Sequence, residues 1–302
     1  MVTATQLSSY LYCPRKLFLS DVLKLQQPIK EELVKGRVWH ETHEMMNVGE
    51  EIIVCSIKPS GSTYSDILDI YRREYSRFLR NAIIKNKTAL KEFNVSMIDL
   101  FKEYWPSFED EAKNRSLVLA EFIKKHQVFE KKLWEILTPK ILSEQYYKSE
   151  TLDISGIIDV IEVHDIDGKK VYLPIELKTG KVPDKGMWEG HRIQLAAYIL
   201  LLEDKGMQAS EGVLQYKGAD RRILQMNSML KDEVIDLVKK VRFLLDNWKI
   251  PDYVDNRNKC KSCPFKEKCY DQSEVKKLLE LAKEAAKNPI KRTSALDSGK
   301  VI

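Results

Sequence analysis

The distribution of cysteines places the strongest constraint on how this chain of 302 residues can fold. Cys260, Cys263 and Cys269 lie close together near the C-terminal end, whereas Cys13 lies near the N-terminal end. Three thiolates need a fourth ligand to close a tetrahedral site, and Cys13 is the candidate for that position. Zinc and a [4Fe–4S] cluster both accept four thiolates, so the spacing leaves the choice open. Such a site would hold the chain ends together and stabilise the fold strongly, because it closes a very long loop.

The overall composition indicates a globular chain without a disulfide framework. Hydrophobic residues make up 43% and charged residues 31%, which is enough apolar material for a core. The number of cysteines is odd, with Cys55 left as a free thiol, and Met1–Leu11 does not have the pattern of a secretory signal. The longest uncharged apolar run, Ile193–Leu202, is about half the length of a membrane span. We therefore expect a cytoplasmic protein that does not enter a membrane.

The pattern of apolar residues predicts five segments. Apolar residues spaced by three and four between 62 and 137 indicate helices, and Pro139 ends that region. Strand-forming stretches then alternate with two helical ones, Trp188–Glu203 and Lys231–Trp248. The predicted segments are N-terminal helices broken near Pro28 (1–47), a helical insertion (48–138), an α/β core (139–250), a Cys-rich segment (251–272) and a C-terminal helix with a tail (273–302).

Positive charge is concentrated in one part of the helical insertion. Between Arg72 and Lys91 there are seven basic residues and one acidic residue, Glu74. This pattern is typical of the solvated face of a surface helix. It is equally typical of a surface that follows a phosphate backbone, because clustered Lys and Arg release counterions from nucleic acid. Both interpretations stay open, since the net charge of the whole chain is only +5.

A short strand carries a carboxylate and a lysine on one face. In the segment Pro174–Lys178, residues two apart share a face, so Glu176 and Lys178 point together, away from the apolar residues Ile175 and Leu177. Taken alone, this pattern is typical of a surface ion pair. Pro174 has no N–H group, which predicts an edge strand or a bulge immediately before Glu176.

The preceding strand adds a second carboxylate. Asp153–Val163 is apolar on both faces, which predicts a central strand with Asp159 in its middle. A carboxylate in that position is costly unless it is paired or bound to a metal. A hairpin through the turn Asp165–Gly168 would bring Asp159 beside Glu176. Two carboxylates with a nearby lysine form a hard-cation site suited to Mg²⁺ or Mn²⁺.

Other polar residues are candidates for the same site. His40 could be a third metal ligand or a core or cap histidine, and His43 lies too close to it in sequence to complete a zinc-protease motif. Gln194 and Tyr198 are spaced i, i+4 and therefore share a face of the helix that follows the Glu–Lys strand. The alternative for this pair is an ordinary polar helix edge.

Taken together, these residues resemble a known family. The motifs are Tyr12-Cys13-Pro14-Arg15, Gly36-x3-His40, Gly156-x2-Asp159, Glu176-x-Lys178-Thr179-Gly180, Gln194-x3-Tyr198 and Cys260-x2-Cys263-x5-Cys269. In this order they resemble the RecB-type branch of the PD-(D/E)xK nucleases that carry an iron–sulfur cluster, and most closely the CRISPR-associated exonuclease family. The resemblance implies a restriction-endonuclease-like α/β core, a mixed sheet flanked by helices. It also implies an N-terminal helical region and a cluster that joins the two chain ends.

The resemblance also implies roles for single residues. His40, Asp159 and Glu176 would bind Mg²⁺ or Mn²⁺, and Lys178 would be catalytic. Gln194 and Tyr198 would shape the catalytic site and contact DNA. The cluster ligands would be Cys13, Cys260, Cys263 and Cys269, holding [4Fe–4S], with [2Fe–2S] or zinc as alternatives.

The implied function is a metal-dependent DNA exonuclease. It would cleave single-stranded DNA or trim overhangs, and it would act with the CRISPR integrase proteins during spacer acquisition. Three alternatives stay open at this stage: a repair or recombination nuclease outside CRISPR, a non-catalytic DNA-binding scaffold that retains the fold, and an interaction protein held together by zinc. The helical insertion is longer than in compact members of the family, and its role is open.

Overall fold

The computed structural model of the protein describes residues 1–218 and 221–287. The predicted C-terminal helix is present, and the predicted tail from 288 onwards lies outside the described residues. The helices are α1 (Ala4–Tyr12), α2 (Pro14–Leu17), α3 (Glu31–Cys55), α4 (Tyr64–Lys85), α5 (Lys87–Glu92), α6 (Met97–His126), α7 (Glu130–Ile136), α8 (Glu189–Asp204), α9 (Ser228–Asn247), α10 (Arg257–Lys261), α11 (Lys266–Tyr270) and α12 (Gln272–Lys287), with a π-helical turn at Phe18–Val22 and a 3₁₀ turn at Pro59–Gly61. None of the helices in these two ranges has the length and apolar character needed to span a membrane.

A mixed six-stranded sheet forms the centre of the fold. Its strands are β1 (Val2–Thr3), β2 (Lys140–Ser149), β3 (Ile154–Ile166), β4 (Lys169–Lys178), β5 (Glu211–Tyr216) and β6 (Arg222–Gln225). β3 pairs antiparallel with both β2 and β4, as expected for a strand that is apolar on both faces, and parallel with β1. β4 then pairs parallel with β5, which pairs antiparallel with β6. The predicted α/β class and mixed sheet are confirmed.

The hairpin between β3 and β4 forms for a local reason. Asp167 and Gly168 connect the strands with φ values of 52° and 78°, the left-handed backbone that a tight Asp-Gly turn requires. Asp165 Oδ1 accepts a hydrogen bond of 2.9 Å from the N–H of Gly168. The predicted hairpin is therefore confirmed, with a tighter turn than the sequence indicated.

Helix α3 crosses a segment boundary that the sequence predicts. The chain does break near Pro28, but α3 then runs without interruption to Cys55, so the boundary between 47 and 48 falls inside a helix. The helix continues through Gly49. The glycine lets α3 and α4 pack closely here, because a Cβ atom at this position would lie 2.6 Å from the ring of Phe78 on α4. Consequently α3 belongs both to the N-terminal helices and to the helical insertion.

The apolar core has two main parts. One part packs α1, α8 and α9 around the sheet, with α8 contributing an almost completely buried run, Ile193–Leu202. The other part lies among α3, α4, α6 and α7, around the large side chains Tyr71, Tyr104 and Phe108. The helical insertion thus buries a core of its own and shares α3 with the sheet.

The prediction that Pro174 marks an edge strand is wrong, whereas the pairing on the β5 side is irregular at this position, because it passes from Val171–Gln208 to Ile175–Val213. β4 lies between β3 and β5, and its register with β3 is continuous through the pair Ile161–Pro174. The N–H of Tyr172 donates to Gln208 O at 2.8 Å, and the ladder with β5 begins at Ile175. The nitrogen of Pro174 lies between these two contacts, so its missing N–H removes neither the hydrogen bond to Gln208 nor the pairing of β4 with β5.

Candidate active site

The site lies where β3 and β4 separate. Their paired register ends at Val160–Ile175, one residue before Asp159 and Glu176 would face each other. Beyond this point the N–H of Leu177 on β4 donates to the Asp159 side chain, with a distance of 2.7 Å to Oδ2, in place of a backbone carbonyl of β3. The hairpin therefore brings Asp159 beside the Glu176 strand, as the sequence predicts.

Glu176 is the most buried acidic group of the site, with 3% of its surface exposed. Its Oε1 accepts hydrogen bonds from Lys178 Nζ at 2.5 Å and from Gln194 Nε2 at 2.8 Å. Its Oε2 is buried and has no partner in the described part of the chain. Burial and the neighbouring Asp159 carboxylate raise the pKa of Glu176 to about 7, although Lys178 opposes the shift. A buried carboxylate oxygen without a donor is costly, and a cation would satisfy it.

Gln194 and Tyr198 on α8 extend the hydrogen bonds of Glu176 into the core. Lys178 Nζ donates to Gln194 Oε1 at 3.1 Å, and Gln194 Nε2 donates to the Tyr198 hydroxyl at 2.8 Å. Both α8 side chains are buried, so they are not an exposed polar helix edge. Burial raises the pKa of Tyr198 far above its usual value, which keeps the phenol neutral. This chain of contacts fixes the position of the Lys178 ammonium relative to the carboxylate.

His40 reaches the site from α3. Its Nδ1 lies 3.6 Å from Asp159 Oδ1, an ion-pair distance rather than a hydrogen bond. Burial opposes protonation of His40, but the carboxylates of Asp159, Glu176 and Glu144 outweigh it and raise the pKa. His43 is outside the site: it packs against Trp39 and Phe108, and burial lowers its pKa to about 4.

Glu144 is the acidic group that the sequence reasoning missed. In residues 1–218 and 221–287, one set of three metal-binding side chains has ligand atoms that all lie within 4.8 Å of one another: His40, Glu144 and Asp159. Glu176, the predicted third ligand, is outside this set. Glu144 stands opposite Asp159, between the register pairs Ser143–Val160 and Gln145–Ile158, and has a left-handed φ of 50°. The available signal was an acidic residue in the middle of the strand that precedes the Asp159 strand.

His191 is a second residue near the site that was not predicted. It lies on α8 one turn before Gln194, and its Nδ1 is 3.0 Å from the hydroxyl of Tyr216. Burial and the nearby Lys178 ammonium lower the pKa of His191 to about 4, so the imidazole is neutral. The sequence signal was its i, i+3 spacing from Gln194, which places the two residues on one side of α8.

The two chain ends meet around the four predicted cluster cysteines. Tyr12 O accepts a 2.8 Å hydrogen bond from Lys259 Nζ, and Tyr12 OH donates to Lys259 O at 3.3 Å. Burial raises the pKa of Tyr12, and the neighbouring sulfurs of Cys263, Cys13 and Cys260 add to the shift. All four thiols, including that of Cys269, are free of disulfides.

Hydrogen-bond donors reach two of these sulfurs. Arg15, with 6% of its surface exposed, donates from Nε to Cys269 Sγ at 3.2 Å. The N–H of Lys16 donates to Cys13 Sγ at 3.3 Å. Within the described ranges, no three cysteine sulfurs all lie within 4.8 Å of one another. The Arg15 guanidinium thus places a buried positive charge beside Cys269.

Comparison with known proteins decides the family. The sequence pattern that defines the PD-(D/E)XK nuclease superfamily matches residues 1–270. The chain belongs to this superfamily. The superfamily assignment agrees with the mixed sheet flanked by helices. The segment Glu176-Leu177-Lys178 has the residue types of the (D/E)XK part of the superfamily's name.

Three curated proteins are similar in sequence to this PD-(D/E)XK chain. A CRISPR-associated exonuclease Cas4 of Rhodospirillum rubrum is 28% identical over 160 residues, which cover 50% of this chain and 48% of that protein. A CRISPR-associated exonuclease Cas4/endonuclease Cas1 fusion of the same organism is 28% identical over 50% of this chain and 27% of the fusion. The DNA replication ATP-dependent helicase/nuclease dna2 of Schizosaccharomyces pombe is 21% identical over 89% of this chain and 18% of that protein. The matches span about half the length of the first relative and less of the others.

Proposed function

We propose that this protein is a divalent-metal-dependent exonuclease that hydrolyses phosphodiester bonds in single-stranded DNA or at overhangs. The observation that carries the proposal is the buried Oε2 of Glu176, which has no hydrogen-bond partner among the described residues. The carboxylate is held in place by Lys178 and Gln194. A protein that only bound DNA would have no use for an uncompensated buried carboxylate, because such a group destabilises the fold. Membership of the PD-(D/E)XK nuclease superfamily supports the same conclusion.

Mg²⁺ or Mn²⁺ fits the oxygen-rich donor set of His40, Glu144 and Asp159, with Glu176 as an additional ligand. When bound, such an ion lowers the pKa of a coordinated water and polarises the scissile phosphate. Lys178 directs its ammonium toward the reacting phosphate and offsets the negative charge that develops in the transition state. Gln194 positions both Lys178 and Glu176, and Tyr198 in turn holds the amide of Gln194.

A role in CRISPR spacer acquisition is the biological setting that we propose. The support is the similarity to Cas4 and to a fusion in which an exonuclease and endonuclease Cas1 share one chain. On this basis an integrase of the Cas1 type is the proposed partner. The second candidate is a nuclease of DNA replication or repair, which the match to dna2 over 89% of this chain favours. Co-purification of the protein with the Cas1 encoded in the same genome, absent for an unrelated nuclease, would support the first setting.

The experiment on activity compares the wild type with Glu176→Ala on single-stranded DNA labelled at either end, with Mn²⁺ or Mg²⁺ present. We expect metal-dependent shortening of the DNA by the wild type and none by the variant. Glu150→Ala is the matched control, because Glu150 is an exposed acid that directly follows β2 and pairs with Lys148. Equal activity of wild type and Glu176→Ala would reject the site. DNA binding without cleavage by the wild type would favour a non-catalytic scaffold.

We further propose that Cys13, Cys260, Cys263 and Cys269 bind a [4Fe–4S] cluster, with [2Fe–2S] and zinc as alternatives. The support is the meeting of the chain ends at Tyr12 and Lys259 and the buried Arg15 guanidinium beside Cys269. When bound, the cluster would join the two ends of the chain. A brown anaerobic preparation containing iron and sulfide is the expected result. Cys269→Ser should lose the colour and Cys55→Ser should keep it, whereas a colourless wild type containing zinc would contradict the cluster.

A further inference from the structure

A groove on the outer face of the helical insertion is not part of the active site. Helices α3 and α4 lie antiparallel and approach closely at Gly49 and Phe78. Between them is a cleft of about 790 Å³. Its apolar lining consists of Met45, Val48, Ile52, Ile53, Ile70 and Phe78. Val48 and Ile52 are 70% and 74% exposed, so the α3 side of the groove presents an unusual amount of apolar surface to solvent.

One edge of this groove is a row of arginines. Arg73, Arg77 and Arg80 recur at i, i+4 and i+7 along α4 and are all exposed. Arg73 and Arg77 share a single carboxylate, Glu74, at 3.1 Å and 2.5 Å. Arg80 donates to the hydroxyl of Ser76 at 3.4 Å. One carboxylate for three guanidinium groups leaves this edge with a net positive charge.

The structure separates these arginines from the rest of the basic segment. Arg72 is turned toward α6, where it pairs with Glu109 at 2.8 Å. Lys85 also lines the groove, but its charge is paired with Glu41 at 3.0 Å. Lys87 and Lys91 lie on α5 and do not line the groove. The two interpretations of the segment therefore apply to different residues: part of it is a solvated or paired surface, and part of it forms a continuous positive edge.

One end of the groove lies next to the active site. Glu44 lines that end, and α3 also carries His40 one turn earlier. Asn47, on the following turn, donates from Nδ2 to Ser143 Oγ at 2.7 Å, and Ser143 directly precedes Glu144. From Glu44 to Ser56 the groove follows α3 for roughly 18 Å, given a rise of about 1.5 Å per residue. A chain lying in the groove would therefore lead to or from the metal-binding residues.

We propose that the α3–α4 groove binds the single strand of DNA adjacent to the scissile bond. This inference rests on the proposed nuclease function. The guanidinium groups of Arg73, Arg77 and Arg80 would bind successive phosphates, because Arg matches phosphate oxygens in a bidentate manner. Val48 and Ile52 would pack against bases and sugars without reading sequence. An acidic helix of a partner protein would also match the charge, but the opening of the groove beside His40 favours the substrate strand.

The test compares two variants that remove the same charge from the same segment, Arg77→Gln/Arg80→Gln and Lys87→Gln/Lys91→Gln. Binding of a fluorescent single-stranded oligonucleotide is measured by anisotropy in EDTA over a series of salt concentrations. Loss of two phosphate contacts should reduce the slope of log Kd against log salt by about 1.4 and weaken binding about tenfold. The Lys87→Gln/Lys91→Gln variant should behave like the wild type. Both variants should cleave an oligonucleotide too short to reach the groove at the wild-type rate.

A second pair of variants examines the apolar α3 side of the groove. Val48→Glu places a carboxylate among the proposed phosphate contacts and should weaken binding of the long oligonucleotide. Val118→Glu, on an exposed position of α6, is its control. Wild-type cleavage combined with equal binding by all four variants would overturn the groove alone and assign it to a protein partner. A wild type that neither binds nor cleaves DNA would overturn the proposed function and the groove with it.

Discussion

Lys178 Nζ lies 2.5 Å from Oε1 of Glu176, on the same face of β4. Among the residues that the structure describes, none donates to the second oxygen of that carboxylate. The pair is therefore not a closed ion pair of the kind that neutralises a buried charge. Its geometry keeps a positive group and an available negative oxygen side by side. This is the arrangement that a site needs when it must hold a cation and a phosphate at adjacent positions.

Replacement of Lys178 by methionine separates catalysis from metal binding. The variant retains the length of the side chain but removes the ammonium, so cleavage should fall by about 10²–10³-fold, in line with the loss of one preorganised electrostatic group. Mn²⁺ affinity should be retained, because Lys178 competes with a cation for Glu176. Lys181→Met, at an exposed position of the following loop, is the control. Cleavage by Lys178→Met at the rate of this control would contradict the role of the ammonium.

The raised pKa of Glu176 should make the stability of the metal-free protein depend on pH. The folded protein holds a proton on this carboxyl up to a pKa of about 7, whereas the unfolded chain loses it near a pKa of about 4.3. The stabilising contribution is therefore complete at low pH and is lost as the pH rises to about 7. Glu176→Gln cannot ionise and should gain stability relative to the wild type over that interval.

Urea unfolding in EDTA at several pH values between 4 and 8 (roughly the interval that the two pKa values span) measures this difference. Glu150→Gln serves as a control, because Glu150 is exposed and its replacement should give a difference that does not change with pH. A stability difference between wild type and Glu176→Gln that is constant over the same range would show that Glu176 is ionised in the folded protein throughout.

Glu144 should contribute to metal affinity. Its carboxylate lies within 4.8 Å of the ligand atoms of His40 and Asp159, and Glu144→Gln removes the negative charge while keeping the shape. We expect Mn²⁺ affinity to fall by at least about tenfold, the scale on which loss of groups around a metal is felt. Isothermal titration with Mn²⁺ measures it, with Glu150→Gln for comparison. Unchanged affinity in Glu144→Gln would remove this residue from the site.

Gly156 should be intolerant of a side chain because of the active-site tyrosine. A Cβ atom at Gly156 would lie 2.7 Å from the ring of Tyr198, which is buried and bonded to Gln194. Gly156→Ala should therefore destabilise the protein by about 1–3 kcal/mol and lower activity by displacing the ring. Gly180→Ala, where nothing lies within 4 Å of the added atom, should change neither. Thermal unfolding and cleavage assays of the two variants check this, and equal melting temperatures would disprove the clash.

The parts of the site that depend on short-range geometry could be predicted from the sequence. The alternation of side chains along a strand places Glu176 and Lys178 on one face of β4. The helical period places Gln194 and Tyr198 on one face of α8. The Asp-Gly turn joins β3 to β4 and so predicts that Asp159 lies near Glu176. These relationships follow from fixed backbone periods and from one tight turn.

Contacts between distant segments could not be predicted in this way. Glu144 meets His40 because α3 packs across β2, and Glu176 accepts a hydrogen bond from Gln194 because α8 packs against β4. Pro174 is tolerated inside the sheet because its nitrogen points to a gap between the contact of Tyr172 with Gln208 and the start of the β5 pairing at Ile175, where no N–H donor is needed. The sequence by itself therefore determined which side chains share a face within each element. Only the tertiary structure decided which elements meet, because that depends on the packing of apolar surfaces over long stretches of chain, whereas the backbone period acts within a few residues.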